Sequence, residues 1–358
     1  MKLARKGTAL AHPNPRVGAV VVKDGFAVGK GFHVYDRLDH AETVALRRAG
    51  PMARAATLYV SLEPCCRRGR TGPCTKAIIA AGIRKVYVAM KDPNPAVSGR
   101  GFAELKRAGV EIHQVENHSD YAKETNEDFA KWIKTGLPFV TLKSALTLDG
   151  RIAQQAGSAT RISGAASRKE VQRMRHEADV VLTGIGTILA DDPRLTDRTG
   201  EPRRHRLLRA VVDSRLRIPL RAKLVKSAEG DVVVFTTQSP DSRKARALNR
   251  AGVEIFHVRA SYGHVDLKAA IQELGRRQML NVLLEGGAEL NGAALEAGIV
   301  DKVVLFYAPK IMGTGGVPFA RISSGWFPKV LALANVTLRR YGPDIVVQGY
   351  LHDVYGNH

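Results

Sequence analysis

His40-Ala41-Glu42, Glu63-Pro64-Cys65 and Cys74 bring one imidazole, one free carboxylate and two separated thiols into a span of thirty-five residues, and no other feature limits the possible folds of this chain as much. The set outlines a catalytic zinc site. Three protein ligands, His40, Cys65 and Cys74, leave a tetrahedral Zn²⁺ one open position for water, and the metal lowers the pKa of that water enough to give hydroxide near neutral pH. Glu42 then shuttles the protons. Residues two apart do not share a helix face, so His40 and Glu42 can serve one metal only if His40 stands at the very start of its helix.

The surrounding pattern is α/β. Between residues 17 and 113, β-branched runs (Val17 to Val22, Thr57 to Leu62, Lys85 to Met90, Val110 to His113) alternate with helices expected from His40, Cys74 and Gly99. Such alternation argues a layered sheet. Ala41, Val44, Ala45 and Ala49 recur at helical spacing until Gly50-Pro51 stops them. Cys74 opens the next helix, where the helix start is expected to stabilise its thiolate. A helix is predicted over Ser119 to Lys134, and Thr135-Gly136-Leu137-Pro138 then breaks the pattern. A length of 358 residues makes two domains the prior, with boundaries at 1–136 and 137–358.

A second alternation follows, with strands at Phe139 to Ala145, Asp179 to Thr183, Ala210 to Asp213, Val232 to Thr236, Val253 to Val258 and Asn281 to Leu284. Helices are expected around Ser167 to Glu177, near Thr187, and from Arg243 to Ala251. Asn281 to Gly287, followed by Ala288 to Ala297, reads as strand, glycine turn, helix. Paired glycines let a ligand approach the backbone, and a helix start attracts phosphate. Alone the pattern is weak, because such a turn is usually only a tight connection.

Charge and cysteine usage narrow the function classes. A net charge of +21 fits either a nucleic-acid surface or attraction of phosphorylated small molecules. The scatter of the basic residues, with no long basic tail or aromatic-interleaved patch, favours the second. Cys65, Cys66 and Cys74 form one cluster, which suits a metal in a reducing compartment better than a disulfide framework and points to the cytoplasm. No apolar run approaches a membrane span, and the N-terminus lacks the core of a signal peptide.

The first half resembles the zinc-dependent nucleobase deaminases, whose signature is H-x-E followed by P-C-x-x-C. Three residues beyond Cys65 stands Arg68, which cannot ligate zinc, so the second thiolate comes from Cys74 across the loop 66–73. That spacing, with Gly69-Arg70-Thr71 inside it, is similar to the deaminase half of the bifunctional riboflavin-biosynthesis deaminase/reductases. The segment Leu182 to Arg198, Leu148-Asp149-Gly150-Arg151 before it and Tyr307-Ala308-Pro309-Lys310 after the glycine turn resemble the reductase half of the same family. The resemblance spans nearly the whole chain in the right order. It implies a cytidine-deaminase-like three-layer α/β domain followed by a dihydrofolate-reductase-like domain.

By that resemblance, zinc-hydroxide deaminates 2,5-diamino-6-ribosylamino-4-pyrimidinone 5′-phosphate, and NADPH then reduces the ribosyl group to ribityl. Asn14 and His33 line the first pocket. NADPH contacts fall on Ala145, Arg161, Thr187, Asp191, Ser214 and the segment Gly287, Ala288, Glu289, Leu290, Asn291, Gly292 and Ala293. The pyrimidine and its ribose phosphate fall on Ala159, Arg175, Leu195, Arg198 and Glu285. Arg175 and Arg198 offer guanidinium forks to a phosphate, and Glu285 accepts from ring amino groups. The expected partners are a small phosphorylated pyrimidine and further copies of the chain in a homo-oligomer, with no nucleic acid and no membrane. Two alternatives remain open: a deaminase acting on a base within RNA or DNA, and a second half kept only as a nucleotide-binding or oligomerising module.

Overall fold

A computed structural model describes residues 1–115, 119–158, 160–322 and 330–355 of the chain. It divides into two compact units: Met1–Gly136, joined by Pro202–Arg204 and a short stretch from Val354, and a second unit built from Leu137–Glu201 and His205–Asp353.

In the first unit the elements run β1 (Gly18–Lys23), β2 (Phe26–Phe32), α1 (Ala41–Ala49), β3 (Thr57–Val60), α2 (Cys74–Ala80), β4 (Lys85–Val88), α3 (Arg100–Arg107), β5 (Glu111–Gln114), α4 (Ser119–Thr125) and α5 (Glu127–Thr135). Among the described residues the sheet order is β2-β1-β3-β4-β5. β1 is antiparallel to β2 and β3, whereas β3, β4 and β5 run parallel. Ala41, Ala45 and Leu46 of α1, Ile78 of α2, and Phe102 and Leu105 of α3 close over Leu58, Val60, Val86 and Val88 in one core. Period-2 alternation in the strands and i, i+4 spacing in α1 put these side chains on facing surfaces. α1 lies so close to β2 that a Cβ on Gly31 would sit 2.2 Å from Ala41 O, and one on Gly29 2.1 Å from Ala45 O. Both glycines are there for space. Neither has a positive φ.

The single helix expected over Ser119 to Lys134 is two helices meeting at Asn126. This residue leaves helical geometry (φ −126°) and turns its side chain to Arg16. Asn126 Oδ1 accepts the Arg16 N–H at 2.7 Å, and its Nδ2 donates to Arg16 O at 3.1 Å. Arg204 and Tyr355 also belong to this unit. The Arg204 guanidinium lies 4.0 Å from the Tyr35 ring centroid, with Arg70 at 4.2 Å, while the Tyr355 hydroxyl donates to Lys123 O.

The second unit continues with β6 (Phe139–Thr147), β7 (Arg151–Ala153), α6 (Ala165–Glu177), β8 (Val180–Gly184), α7 (Ile185–Asp191), β9 (Leu208–Val212), α8 (Lys223–Lys226), β10 (Val232–Thr236), α9 (Arg243–Arg250) and β11 (Val253–His257). It closes with β12 (Ala260–Ser261), β13 (His264–Val265), α10 (Leu267–Arg276), β14 (Asn281–Leu284), α11 (Ala288–Glu296), β15 (Lys302–Ala308), β16 (Val317–Pro318), β17 (Ala334–Tyr341) and β18 (Asp344–Tyr350). The main sheet runs β11-β10-β9-β8-β14-β6-β15-β18-β17. β11 through β15 are parallel, and β18 and β17 are antiparallel. Central strands such as β10 and β8 are almost wholly buried, which is why they read as unbroken apolar runs. No helix among the described residues is long and apolar enough to cross a membrane.

Candidate active sites

His40 is the N-cap of α1, in extended conformation, and Glu42 lies in the first turn. A cap residue is released from the helical phase, so the two-residue spacing presents no obstacle. Nδ1 of His40 lies 3.2 Å from Cys74 Sγ and 3.4 Å from Cys65 Sγ, and the three ligand atoms are within 4.8 Å of one another. Bonds of about 2.3 Å to sulfur and about 2.0–2.1 Å to nitrogen separate tetrahedral neighbours by about 3.5–3.8 Å, so this set fits a zinc ion with a few tenths of an ångström of adjustment. Among the described residues no other trio of His, Cys, Asp or Glu gathers in this way. Cys66 is outside the trio.

The two sulfurs differ. The Cys74 thiol donates to Cys65, and that bond, with help from His40 and against burial, holds the Cys65 thiol well below its ordinary pKa. Cys74 is pushed up by the same bond and by burial. Helix α2 opens at Cys74, as its position in the sequence suggested. Its first N–H points to Cys65 Sγ at 3.4 Å and serves the neighbouring sulfur. The hydrogen bond to Cys65 raises His40, outweighing burial.

Glu42 is 3 % exposed, and burial, reinforced by the Cys65 thiolate, pushes its carboxyl up to about 7. His33 reaches the same pocket, its ring centroid 5.2 Å from that of His40. Its Nδ1 faces Asp39 O at 3.0 Å and its Nε2 faces Asn14 Nδ2 at 3.0 Å. Burial lowers the His33 pKa. A neutral ring with its proton on Nδ1 satisfies both contacts, Nε2 accepting from the Asn14 amide.

Two supports escaped the sequence reading. Arg16 holds the segment that carries Asn14, donating to Asp128 at 2.6 and 2.7 Å and to Thr125 O at 2.7 Å. Glu63 accepts from the backbone N–H groups of Asp92, Gly99, Gly101 and Phe102 at 2.9–3.3 Å, which pins the Pro64 corner leading to Cys65 against α3. Only their adjacency to motif residues hinted at either role.

In the second unit several of the cofactor residues expected from the resemblance fall at the C-terminal ends of neighbouring strands, whereas Arg161 and Asp191 do not. Ser214 follows β9, Thr187 lies in α7 after β8, Gly287 to Ala293 follow β14, and Ala145 is near the end of β6. Ligands of open parallel sheets bind in crevices at such ends. Thr187 Oγ1 is 4.0 Å from where a Gly287 Cβ would sit, and Gly287 is the N-cap of α11. Gly292 packs on Arg321, whose carbonyl a Cβ would meet at 1.7 Å. Asn291 is fully buried and donates to Phe319 O. Ser214 Oγ accepts from the Val265 N–H at 3.0 Å. Asp191 ends α7 and is exposed, Glu289 pairs with Arg321, and Arg161 is exposed with its carbonyl accepting from Lys310. Ala159 lies outside the described residues.

Glu285 is the electrostatic centre of this unit. Arg175 Nε and Nη2 donate to its two carboxylate oxygens at 2.6 and 3.1 Å, and Lys143, on β6, stands 3.5 Å away. Burial alone would raise the Glu285 carboxyl, but Lys143 and then Arg175 outweigh it and bring it down to about 2. Lys143 was not anticipated, because one lysine in a strand carries no motif. Leu195 is 4 % exposed with φ 54°, and Arg198 is exposed.

Residues 1–90 match the family model of the cytidine and deoxycytidylate deaminase zinc-binding region, and residues 138–347 match that of the RibD C-terminal domain. The riboflavin biosynthesis protein RibD of Aquifex aeolicus is 42% identical over 315 residues, covering 88% of this chain and 86% of its own. That of Escherichia coli K12 is 39% identical over 362 residues, covering 96% and 95%. Among solved structures, Acinetobacter baumannii RibD superposes with a TM-score of 0.85 at 36% identity over 98% of this chain and 96% of that one. The diaminohydroxyphosphoribosylaminopyrimidine deaminase/5-amino-6-(5-phosphoribosylamino)uracil reductase of Thermotoga maritima gives 0.83 at 34% identity, covering 98% and 95%.

Proposed function

This chain belongs to the RibD family of riboflavin-biosynthesis enzymes, and on that premise we propose how its own residues divide two consecutive reactions. It is a bifunctional enzyme, a zinc-dependent deaminase and an NADPH-dependent reductase. It deaminates 2,5-diamino-6-ribosylamino-4-pyrimidinone 5′-phosphate, then reduces the ribosyl group to ribityl. The deaminase belongs to residues 1–136 and the reductase to 137–358. The observation that carries the reading is the convergence of His40, Cys65 and Cys74 beside a buried Glu42, in a chain whose second sheet gathers Glu285, Arg175 and the glycine turn at its strand ends.

His40, Cys65 and Cys74 would hold zinc, which would supply a Lewis acid able to lower the pKa of a water. Glu42, whose burial favours the protonated form of its carboxyl, takes a proton from that water and delivers it to the departing ammonia. His33 and Asn14, fixed against each other, orient the ring.

In the second unit NADPH supplies the hydride. Ala145, Arg161, Thr187, Asp191, Ser214 and Gly287 to Ala293 would hold it, with the N–H groups at the start of α11 available to a phosphate. Glu285, kept ionised by Lys143 and Arg175, accepts from the pyrimidine amino groups, and Arg198 holds the substrate phosphate, with Arg175, Ala159 and Leu195 completing the substrate set that the resemblance implies. A nucleic-acid deaminase with an idle second half is set aside, because the relatives match across both halves. We place the enzyme in the cytoplasm as a homo-oligomer acting on a small phosphorylated pyrimidine.

The test scores ammonia release and NADPH oxidation separately, with metal analysis of the same preparation. Glu42→Gln is expected to abolish the first signal and to spare the second when the deaminated intermediate is supplied. Survival of both signals overturns the role of Glu42.

A further inference from the structure

We propose that His176 is a positioning residue of the reductase half: through Asp197 it fixes the loop that presents Arg198 to the substrate phosphate. The proposal rests on the reading of Arg198 given above.

One face of α6 presents Gln172, Arg175 and His176 at i, i+3 and i+4, and each meets a successive residue of the loop after α7. Arg175 Nη1 donates to Thr196 O at 3.3 Å, His176 Nδ1 donates to Asp197 Oδ2 at 2.9 Å, and the Arg198 N–H donates to Gln172 Oε1 at 3.0 Å. The other carboxylate oxygen of Asp197 accepts the N–H and the hydroxyl of Thr199, at 2.9 and 2.7 Å. The His176 and Asp197 side chains are 10 % and 9 % exposed. Their bond is therefore largely shielded from water, and a bond to an ionised carboxylate is the strongest kind in such a clasp.

The loop needs holding. Leu195, immediately before it, sits in the left-handed region at φ 54° although it carries a bulky side chain, and Asp192 does so at φ 41°. Backbone of this kind persists only where neighbours over-determine it. The clasp grips Thr196 and Asp197 and the backbone of Arg198, yet the Arg198 guanidinium makes no hydrogen bond or ion pair among the described residues. A fixed backbone under an uncommitted fork suits capture of a planar or tetrahedral oxyanion. Arg175 of the same helix also binds Glu285, so α6 sets the phosphate end and the ring end of the substrate together.

The experiment is a double-mutant cycle on the full chain, read as NADPH oxidation with the deaminated phosphorylated intermediate. Arg198→Ala is expected to raise KM about tenfold with kcat little changed, the pattern of a lost ground-state contact. His176→Ala is expected to raise KM several-fold alone and to add nothing in the Arg198→Ala background, because residues acting through one contact are not additive. His176→Asn, whose amide nitrogen replaces Nδ1, is expected to restore the KM. Should His176→Ala fail to fold, Asp197→Asn carries the same expectation. A KM increase for His176→Ala that persists undiminished in the Arg198→Ala background overturns the proposal. If Arg198→Ala raises KM and His176→Ala does not, only the clasp is wrong; if Arg198→Ala leaves KM unchanged, the phosphate role of Arg198 falls and takes the clasp with it.

Discussion

Gly31→Ala is the sharpest test of how the deaminase pocket is built. A Cβ at this position would lie 2.2 Å from Ala41 O and 2.8 Å from both Ala45 N and Val44 Cβ, so the clash is mainly with the backbone of α1 and no rotamer change relieves it. Restoring an ordinary contact moves α1 by about 1 Å away from β2. Ala41 stands between His40 and Glu42, so the displacement goes directly into one member of the metal-binding trio and the proposed proton carrier. Overpacking of this size costs about 1–3 kcal/mol in stability. A misplacement of about 1 Å at reacting groups costs about 100-fold in rate. The expected outcome is ammonia release slowed about 100-fold with weakened zinc retention, and NADPH oxidation of supplied intermediate unchanged. Lys30→Ala, exposed on the same strand, is expected to alter neither signal. A folded Gly31→Ala protein with wild-type ammonia release and full zinc content would refute the reasoning, because it would mean that α1 carries His40 and Glu42 with slack.

Other expectations follow from the same geometry. Arg16→Ala leaves the Asp128 carboxylate nearly buried without its fork and should lower the stability of the first unit by about 3 kcal/mol, read by denaturant unfolding, while loosening Asn14 and raising KM for deamination. Glu285→Gln removes the anion between Arg175 and Lys143; NADPH oxidation should be lost and ammonia release kept. The Glu285 carboxyl is depressed from 4.5 to about 2, so its contribution to stability is complete above the unfolded value and lost as pH falls from 4.5 toward 2. That contribution is about 3 kcal/mol, and unfolding midpoints at pH 5, 4 and 3 should fall less steeply in Glu285→Gln than in the parent. Chelation should abolish ammonia release without touching NADPH oxidation, and added zinc should restore it; a deaminase that survives complete metal removal contradicts the site.

What was legible in the sequence depended on how each residue earns its place. His40, Cys65 and Cys74 stood out because few residue types bind zinc and their spacing is uncommon. β10 and β14 were read with their true bounds because a parallel strand covered on both faces is apolar throughout. β2 (Phe26–Phe32) was missed because the face beneath α1 is glycine, so burial there leaves no apolar trace. β17 was missed for the opposite reason: it is exposed along nearly its whole length, and Ala334 to Tyr341 has no alternation to read. Asn126 split a predicted helix because a side-chain partner far away in sequence, Arg16, took its hydrogen bonds. Lys143 and Glu63 are likewise defined by neighbours that only the folded chain supplies.

The stretch Pro202–Arg204 and the vicinity of Val354 bear on how such an enzyme can be divided or inherited. A gene severed after codon 136 would encode a deaminase stripped of the guanidinium on one side of Tyr35 and of the phenol that closes on Lys123. Splitting this polypeptide into independent products therefore takes those borrowed pieces away from the deaminase. The linear cut and the folded boundary of the first unit are thus different places in this polypeptide.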